Sequence, residues 1–330
     1  MQSKQPLTAA TQLSGTVTGS GVDRRNQIAI VAEGGGQRGI FTAGVLDAFL
    51  QHKFNPFDIG IGVSAGAQNL LSYFLYEHGY ARKAITDLTC APGFFVPYRW
   101  LAARNVVDLD TYFNRTLSDP AYQLPYQKVA DVQTGRKLVF VATDKKTLAP
   151  VYLEPTKHAV VDMLKASSAV PFLYNAPVTI NDRALVDGGV ADPLPIQRAI
   201  DLGARTVVVI RTVPHQHDQS GWRQQLESLP LKRALPQSLF NMLRIHDQAY
   251  ARAMQQLQLS PPGVNIKCIA PQTALQSRTF GSQSKALVAD YEAGTLAGEQ
   301  AISVLDQWLG KHDQTNQRKI GQPELDNASA

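Results

Sequence analysis

A single serine occupies the junction between a short apolar run and a helical pattern. Ser64 follows the run 59–63 and precedes residues 65–71, and glycines stand two positions on either side of it, at Gly62 and Gly66. A strand that turns sharply into a helix leaves no room for side chains at those two positions, and it holds the serine hydroxyl beside the helix N-terminus. The pentapeptide alone also fits an ordinary tight turn, but the strand before it and the helix after it favour a nucleophile elbow.

The glycine-rich loop 34–39 lies between an apolar run and a helical pattern, one predicted strand before the serine. Its spacing, Gly34-x-Gly36-x-x-Gly39, also fits a dinucleotide-binding turn. Such a turn calls for an acidic residue near the end of the next strand, and here that place is taken by the serine turn. We therefore expect no nucleotide, and we expect backbone N–H groups that point at an oxyanion beside Ser64.

A serine hydroxyl needs a group that takes its proton. The later histidines have no position that marks them as this base; they are His158, His215, His217, His246 and His312. Asp187 is the better candidate, because it ends a predicted strand and should emerge at the carboxyl edge of the sheet, with Gly188 and Gly189 allowing a sharp turn after it. Partial burial makes a carboxylate a stronger base. A turn-capping aspartate is the alternative interpretation.

Several short segments together resemble the signatures of the patatin-like phospholipases, in the same order along the chain. They are 34–39, 62–66 and 187–189, and residues 166–172 resemble the Ala-Ser-x-Ala-x-Pro segment of that family. The resemblance covers residues 27–212. It implies a three-layer α/β/α fold with a mostly parallel central sheet, a Ser-Asp dyad without histidine, and neither a metal nor another cofactor.

By that resemblance, Ser64 is the nucleophile, Asp187 is the base and the glycine loop forms the oxyanion hole. The loop residues concerned are Gly34, Gly35, Gly36, Gln37, Arg38 and Gly39. Arg38 either anchors this loop or adds positive potential to it, and we favour anchoring. One departure from the family is Asp192, where many members have Asn. This second carboxylate either raises the pKa of Asp187 or only caps the following helix.

The order of strand, glycine loop, helix, strand, serine turn and helix predicts an α/β fold with a parallel sheet and helices on both faces. Further strands are expected at 137–143, 150–153, 184–187, 206–210 and 264–270, and helices at 160–167, 193–202, 237–259 and 290–309. We expect one domain at 27–310, with a motif-bearing core at 27–212 and a helical, variable part at 213–310. The polar ends, 1–26 and 311–330, are expected to be a disordered leader and tail.

The chain has 330 residues and a formal net charge of +5, with 44% apolar and 18% charged residues. This composition is ordinary for a globular protein, and the lack of a basic block argues against nucleic-acid binding. The N-terminal segment lacks the apolar core of a signal peptide, and no apolar run is long enough to span a membrane. We therefore expect a cytoplasmic protein without a protein partner, and we leave peripheral membrane contact open.

Together with this resemblance, the motifs predict a serine acyl hydrolase of lipid esters, of the phospholipase or lysophospholipase A type. The aromatic stretch 94–101 and the helix 237–259 are the candidates for its acyl groove, although packed structure is the other interpretation of both. An acyltransferase with the same acyl-enzyme is one alternative function, and a lipid-binding protein without catalysis is another. An NAD-dependent oxidoreductase is a third, which lacks its acidic ribose-binding residue here.

Overall fold

The structure is a computed structural model, which describes residues 27–102, 104–156, 158–176, 178–214 and 236–320, with the side chains of the last helix included up to residue 309. The expected leader, the end of the expected tail, and the candidates His215 and His217 lie outside the described residues. No helix in these ranges has both the length and the apolar character needed to cross a bilayer.

One sheet of eight strands runs through the described residues. The strands are β1 (Gln27–Ala32), β2 (Ile59–Val63), β3 (Lys137–Asp144), β4 (Pro150–Leu153), β5 (Val178–Ile180), β6 (Arg183–Asp187), β7 (Ala204–Ile210) and β8 (Asn265–Ile269). Their order is β5-β6-β3-β2-β1-β7-β8, with β4 also paired to β3. The pairs from β3 to β8 along this order are parallel, whereas β4, β5 and β6 pair antiparallel. The expected mostly parallel sheet is confirmed.

Helices connect these strands. They are α1 (Gly39–Gln51), α2 (Ala65–Phe74), α3 (Tyr80–Lys83), α4 (Leu109–Ser118), α5 (Val129–Gly135), α6 (Val160–Ser168), α7 (Ile196–Asp201), α8 (Gln237–Gln258) and α9 (Ser284–Ile320). The central strands are apolar at almost every position because helices cover both of their faces. Ile30 packs in the core that contains Phe49 of α1 and Phe74 of α2, and its neighbour Val31 packs in the opposite core with Tyr250 of α8. The three-layer α/β/α arrangement is confirmed.

Some elements differ from those predicted. Helix α7 begins only at Ile196, because Pro193 and Pro195 cannot donate the backbone hydrogen bonds of a longer helix. Helix α9 begins before residue 290 and continues to Ile320, into the expected tail, where Gln, Lys and Arg have high helix propensity. The sequence does not predict strand β5 or helices α3 and α5, because these elements are too short to show a clear hydrophobic periodicity. Helix α4 was missed although its buried residues have helical spacing.

Helices α1 and α9 touch backbone to backbone. A Cβ atom at Gly44 would lie 2.2 Å from the carbonyl oxygen of Tyr291, and one at Gly294 would lie 2.1 Å from the carbonyl oxygen of Phe41. No side chain fits at either glycine. The contact therefore fixes the position of α1, and with it the glycine loop that precedes α1.

We predict that Gly44→Ala lowers the free energy of unfolding by about 2 kcal/mol, because the added methyl group must push α9 away from α1. Gly135→Ala is the matched control, since this glycine also lies in a helix and nothing lies within 4 Å of a Cβ atom there. Urea unfolding followed by circular dichroism compares the two variants. Equal stabilities would contradict the backbone contact.

Candidate active site

The turn at Ser64 is strained and tightly packed. Ser64 has φ 52° and ψ −123°, a left-handed conformation that costs free energy for any residue with a side chain. A Cβ atom at Gly62 would lie 2.4 Å from the Cα atom of Ala67, and one at Gly66 would lie 2.3 Å from the carbonyl oxygen of Ala32. The two glycines are therefore required by the close approach of α2 to β2 and β1, as the spacing predicts for an elbow.

Hydrogen bonds from a neighbouring helix hold this turn in place. The backbone N–H of Ser64 donates to the Oγ atom of Ser167 at 2.9 Å, and the Ser167 hydroxyl donates to the carbonyl oxygen of Val141 at 2.6 Å. Ser167 is completely buried, so water does not compete for these bonds. The strained turn is thus tied through α6 to strand β3.

Strand pairing brings Asp187 to the level of Ser64. Val63 pairs with Val141 of β3, and the next residue of β3, Ala142, pairs with Asp187. Asp187 was expected to emerge at the carboxyl edge of the sheet, but that reason is wrong, because β6 is antiparallel to β3 and runs away from this edge. The register of the pairing, and not the end of a parallel strand, places Asp187 beside the serine turn.

The Asp187 carboxyl group is held by the turn that follows it. Its Oδ1 atom accepts a hydrogen bond of 2.7 Å from the backbone N–H of Gly189. Burial raises the pKa of Asp187 to about 6, although the hydrogen bond from Gly189 and the nearby Ser64 side chain lower it. A carboxylate with this pKa is largely ionised at pH 7.5 and is a better proton acceptor than an ordinary aspartate.

Asp192 neither raises the pKa of Asp187 nor caps the helix that follows it. Its Oδ2 atom accepts a hydrogen bond of 2.8 Å from the Tyr152 hydroxyl, and α7 begins beyond it with Pro195 as the preceding residue. The pKa of Asp187 is raised by burial, without a contribution from Asp192. Burial also raises the pKa of Asp192, to about 6, but this carboxyl has a different partner from Asp187.

The start of the glycine loop lies against the serine. A Cβ atom at Gly34 would be 3.2 Å from the Cβ atom of Ser64. Gly35 and Gly36 have φ values of 152° and 57°, which glycine adopts at low cost. These backbone angles turn the chain beside Ser64, so that the loop contributes backbone and no bulky side chain at Gly34, Gly35 and Gly36.

The loop amides divide into two groups. The N–H of Gln37 donates to the carbonyl oxygen of Thr279 at 2.9 Å, that of Arg38 donates to Gly35 at 3.2 Å, and that of Gly39 donates within the short 3₁₀ turn that precedes α1. The backbone amides of residues 34–36 have no such partner among the described residues. Within the predicted set of donors, these three amides are the ones without a backbone partner in the part of the chain that the structure describes.

Hydrogen bonds through the buried acid Glu33 and through Thr212 connect the glycine loop to the end of β7. Glu33, only 2% exposed, accepts a hydrogen bond of 2.5 Å from the backbone N–H of Thr212. The Thr212 hydroxyl in turn donates to the carbonyl oxygen of Gly34 at 3.0 Å. The end of β7 is therefore connected to the loop.

Arg38 was expected to anchor the glycine loop. Its Nε atom, however, is buried without a hydrogen-bond partner among the described residues, so this atom does not anchor the loop.

A cavity of about 370 Å³ opens at Ser64, Asp187 and the glycine loop. Both segments predicted to form the acyl groove contribute to its wall. The stretch 94–101 supplies Phe94 and Trp100, and α8 supplies Leu239, Met242 and Leu243. The wall is therefore largely apolar, and Ser64 and Asp187 are among its few polar groups.

His246 belongs to this site, although sequence reasoning left it aside. Its Nδ1 atom lies 2.6 Å from the carbonyl oxygen of Gly189, and its ring stacks on Tyr250 with centroids 5.9 Å apart. It also lines the cavity. The signal was weak, because a histidine on the apolar face of a helix is usually a packing residue. His158 is not among the residues that line the cavity.

No group of three or more His, Cys, Asp or Glu side chains within the described ranges is arranged to hold a metal ion.

Two family profiles match the chain: Patatin-like phospholipase matches residues 30–200, and a domain of unknown function, DUF6363, matches residues 237–310. The uncharacterized protein YjjU of Escherichia coli (strain K12) is 40% identical over 288 residues, which is 86% of this chain and 79% of that protein.

Two solved structures are also similar. VipD from Legionella pneumophila superposes with a TM-score of 0.47 at 13% identity, over 85% of this chain and 67% of that one. Human GIVD cytosolic phospholipase A2, in complex with methyl gamma-linolenyl fluorophosphonate inhibitor and terbium chloride, superposes with a TM-score of 0.46 at 12% identity, over 90% of this chain and 60% of that one. The Patatin-like phospholipase profile spans more than half of the chain and shows that the chain belongs to this family.

The raised pKa of Asp187 predicts a pH-dependent gain of stability in Asp187→Asn. The folded pKa of about 6 lies above the ordinary 3.8, so the ionised carboxyl destabilises the fold above pH 6, and this cost disappears below the unfolded pKa. The variant should gain about 1–3 kcal/mol at pH 8 and almost nothing near pH 4. Urea unfolding at both pH values measures the difference, and an equal gain at both would contradict the assignment.

Proposed function

We propose that this protein is a serine acyl hydrolase of lipid esters, of the phospholipase or lysophospholipase A type. The observation that carries the proposal is that the strained Ser64 turn and the buried Asp187 carboxyl interact and line the same largely apolar cavity. A serine hydroxyl beside a carboxylate of raised pKa is arranged for nucleophilic attack. Membership of a family of lipid hydrolases supports the same reaction class.

In the proposed reaction, Asp187 accepts the proton of Ser64 as its Oγ atom attacks the ester carbonyl carbon. The negative charge that develops on the carbonyl oxygen is stabilised by the amides of Gly34, Gly35 and Gly36. The tetrahedral intermediate then collapses, Asp187 returns the proton to the departing alcohol, and the acyl group stays on Ser64. Asp187 next accepts a proton from a water molecule as its oxygen attacks the acyl carbon. The bond to Ser64 Oγ then breaks, Asp187 returns the proton to Oγ, and the fatty acid is released.

The wall of the cavity supports a long acyl chain as the group that is bound. Phe94, Met242 and Leu243 lie along it, and removing apolar surface from water stabilises a complex by about 25 cal/mol per Å². Arg38 of the glycine loop also lines the cavity. Its positive charge favours substrates with an anionic group near the ester.

Ser64→Ala and Asp187→Asn should each lower kcat/KM for a lipid ester by about a thousandfold or more, since each removes one partner of a single proton transfer. Asp192→Asn is the matched control, because this carboxyl is also buried with a pKa of about 6 but bonds to Tyr152. It should retain activity. The wild-type rate should rise with pH through about 6, as the base becomes ionised.

A fluorophosphonate probe followed by intact-mass measurement separates this proposal from its alternatives. A single adduct on the wild type and none on Ser64→Ala is expected. Absence of an adduct on folded protein, with micelles present, would favour a lipid-binding protein without catalysis. Transfer of the acyl group to an added alcohol or thiol in preference to water would identify an acyltransferase.

A further inference from the structure

The 3₁₀ turn Pro97–Ala102, called here the 97–102 turn, exposes large apolar side chains. None of its residues is buried. Tyr98 is 76% exposed, Trp100 is 49% exposed and Leu101 is 82% exposed. Few large apolar side chains of the described residues are exposed at all, and here three of them gather in one short turn. Such a patch on a water-facing surface marks a site of interaction.

The turn is held firmly at its base. The backbone N–H of Val96 donates to Val106 at 2.8 Å, and that of Asp108 donates to Phe94 at 2.8 Å. Phe95 forms a bridge with Val107 and stacks on Phe280 with ring centroids 5.4 Å apart. The exposed side chains are therefore presented by a fixed support, and they are not a consequence of a loose chain end.

The turn also borders the cavity of the candidate active site. Trp100 lines the cavity and is half exposed at the same time, so it stands where the cavity meets solvent. Tyr98 and Leu101 are exposed but do not line the cavity. A lipid acyl chain that leaves a lipid phase at this turn could enter the cavity without crossing bulk water.

The charged residues of segment 93–107 have one sign. Arg99 lies between Tyr98 and Trp100, Arg104 follows Leu101, and no acidic residue occurs between 93 and 107. Arg99 donates a hydrogen bond to the carbonyl oxygen of Gly93 at 3.2 Å, which directs it along the turn. Aromatic, leucine and arginine side chains together are the composition that binds the interface of an anionic bilayer.

From these observations we propose that the 97–102 turn docks the protein on an anionic lipid surface. Tyr98 and Leu101 enter the acyl boundary, Trp100 lies at the head-group level beside the cavity entrance, and the two arginines contact lipid phosphates. The inference rests on the proposed function, because the bilayer is then the source of the lipid ester. Its test is nevertheless independent of catalysis.

Binding is measured on the Ser64→Ala protein, with co-sedimentation on vesicles of phosphatidylcholine and phosphatidylglycerol in equal amounts. Adding Tyr98→Ser and Leu101→Ser should weaken binding by about tenfold or more. The matched control carries Tyr76→Ser and Leu259→Ser, the same residue types at 61% and 72% exposure, and should bind like the parent. Arg99→Gln with Arg104→Gln should weaken binding by about tenfold, and by much less on phosphatidylcholine alone.

A second measurement uses proteins that retain Ser64. Hydrolysis of a soluble short-chain ester should be equal in the wild type and in the Tyr98→Ser/Leu101→Ser variant, whereas hydrolysis of vesicle lipid should fall by about tenfold in that variant. Vesicle binding by the Ser64→Ala protein without hydrolysis of any ester by the wild type would leave the docking surface standing and remove the proposed function.

Three results would overturn the docking surface. They are a lack of vesicle binding by the Ser64→Ala protein, equal binding by the turn variant and its control, and a melting temperature that falls several degrees further in the turn variant than in the control. The last would mean that Tyr98 and Leu101 pack against the protein itself.

An independent observation concerns His246. Because its Nδ1 atom faces a carbonyl oxygen at 2.6 Å, Nδ1 carries the proton and donates to Gly189. The N–H of Gly189 in turn donates to Asp187. The Nε2 atom is buried without a hydrogen-bond partner among the described residues. We infer that His246 is a positioning residue, which holds the Asp187-Gly188-Gly189 turn in the geometry that the proposed reaction needs.

Two amide substitutions at His246 distinguish the roles of its two ring nitrogens. His246→Asn keeps a donor near the position of Nδ1 and should retain most activity, whereas His246→Gln moves the donor to the position of Nε2 and should lose about tenfold in kcat. The Gly189 bond lowers the pKa of Asp187. Loosening the turn should therefore shift the acid limb of the pH profile upward in His246→Gln only.

Hydrogen exchange measured by mass spectrometry tests the same role without catalysis. A peptide covering residues 187–191 should exchange faster in His246→Gln than in His246→Asn and the wild type. Equal exchange in all three proteins would overturn the positioning role. Faster exchange in His246→Gln, together with no hydrolysis by the wild type, would support the contact and remove only the proposed reaction.

Discussion

The close approach of α2 to the end of β1 is the constraint on which the rest of the site depends. Gly66 lies so near the carbonyl oxygen of Ala32 that a Cβ atom would stand 2.3 Å from it. This approach forces the chain to reverse within one residue, so Ser64 takes a left-handed conformation. It also brings the loop after β1 against Ser64. The strain is sustained because buried bonds from Ser167 oppose relaxation.

Strand register supplies the second part of the site. Asp187 lies opposite Ala142, one residue beyond the partner of Val63. Since side chains alternate between the faces of a sheet, a shift of one residue would turn Asp187 away from the serine. The buried bonds from Thr143 to the carbonyl oxygen of Asp187 and from Asp187 to Ala169 keep this register. The position of the carboxylate is therefore a property of backbone pairing and not of a flexible loop.

Local spacing was sufficient to predict the turn at Ser64 and the glycine loop, because each is set by steric demands within a few residues. The partner strand of Asp187 was not predictable in that way, since β6 pairs antiparallel and its register depends on distant residues. The same holds for His246, which meets Gly189 across 57 positions of sequence. The extent of α9 was missed because polarity alone does not distinguish a solvated helix from a disordered tail.

In the proposed reaction, the chemical groups and the binding surface come from different parts of the chain. The nucleophile, the base and the loop amides lie within the segment that matches the family profile, 30–200. Much of one cavity wall comes from α8, which begins the second matched segment, 237–310. Because apolar binding energy follows the surface that is buried, changes in α8 alter which acyl chains fit while the reacting atoms stay in place. His246 is the exception, because it lies in α8 and contacts Gly189 in the turn that follows the proposed base, Asp187.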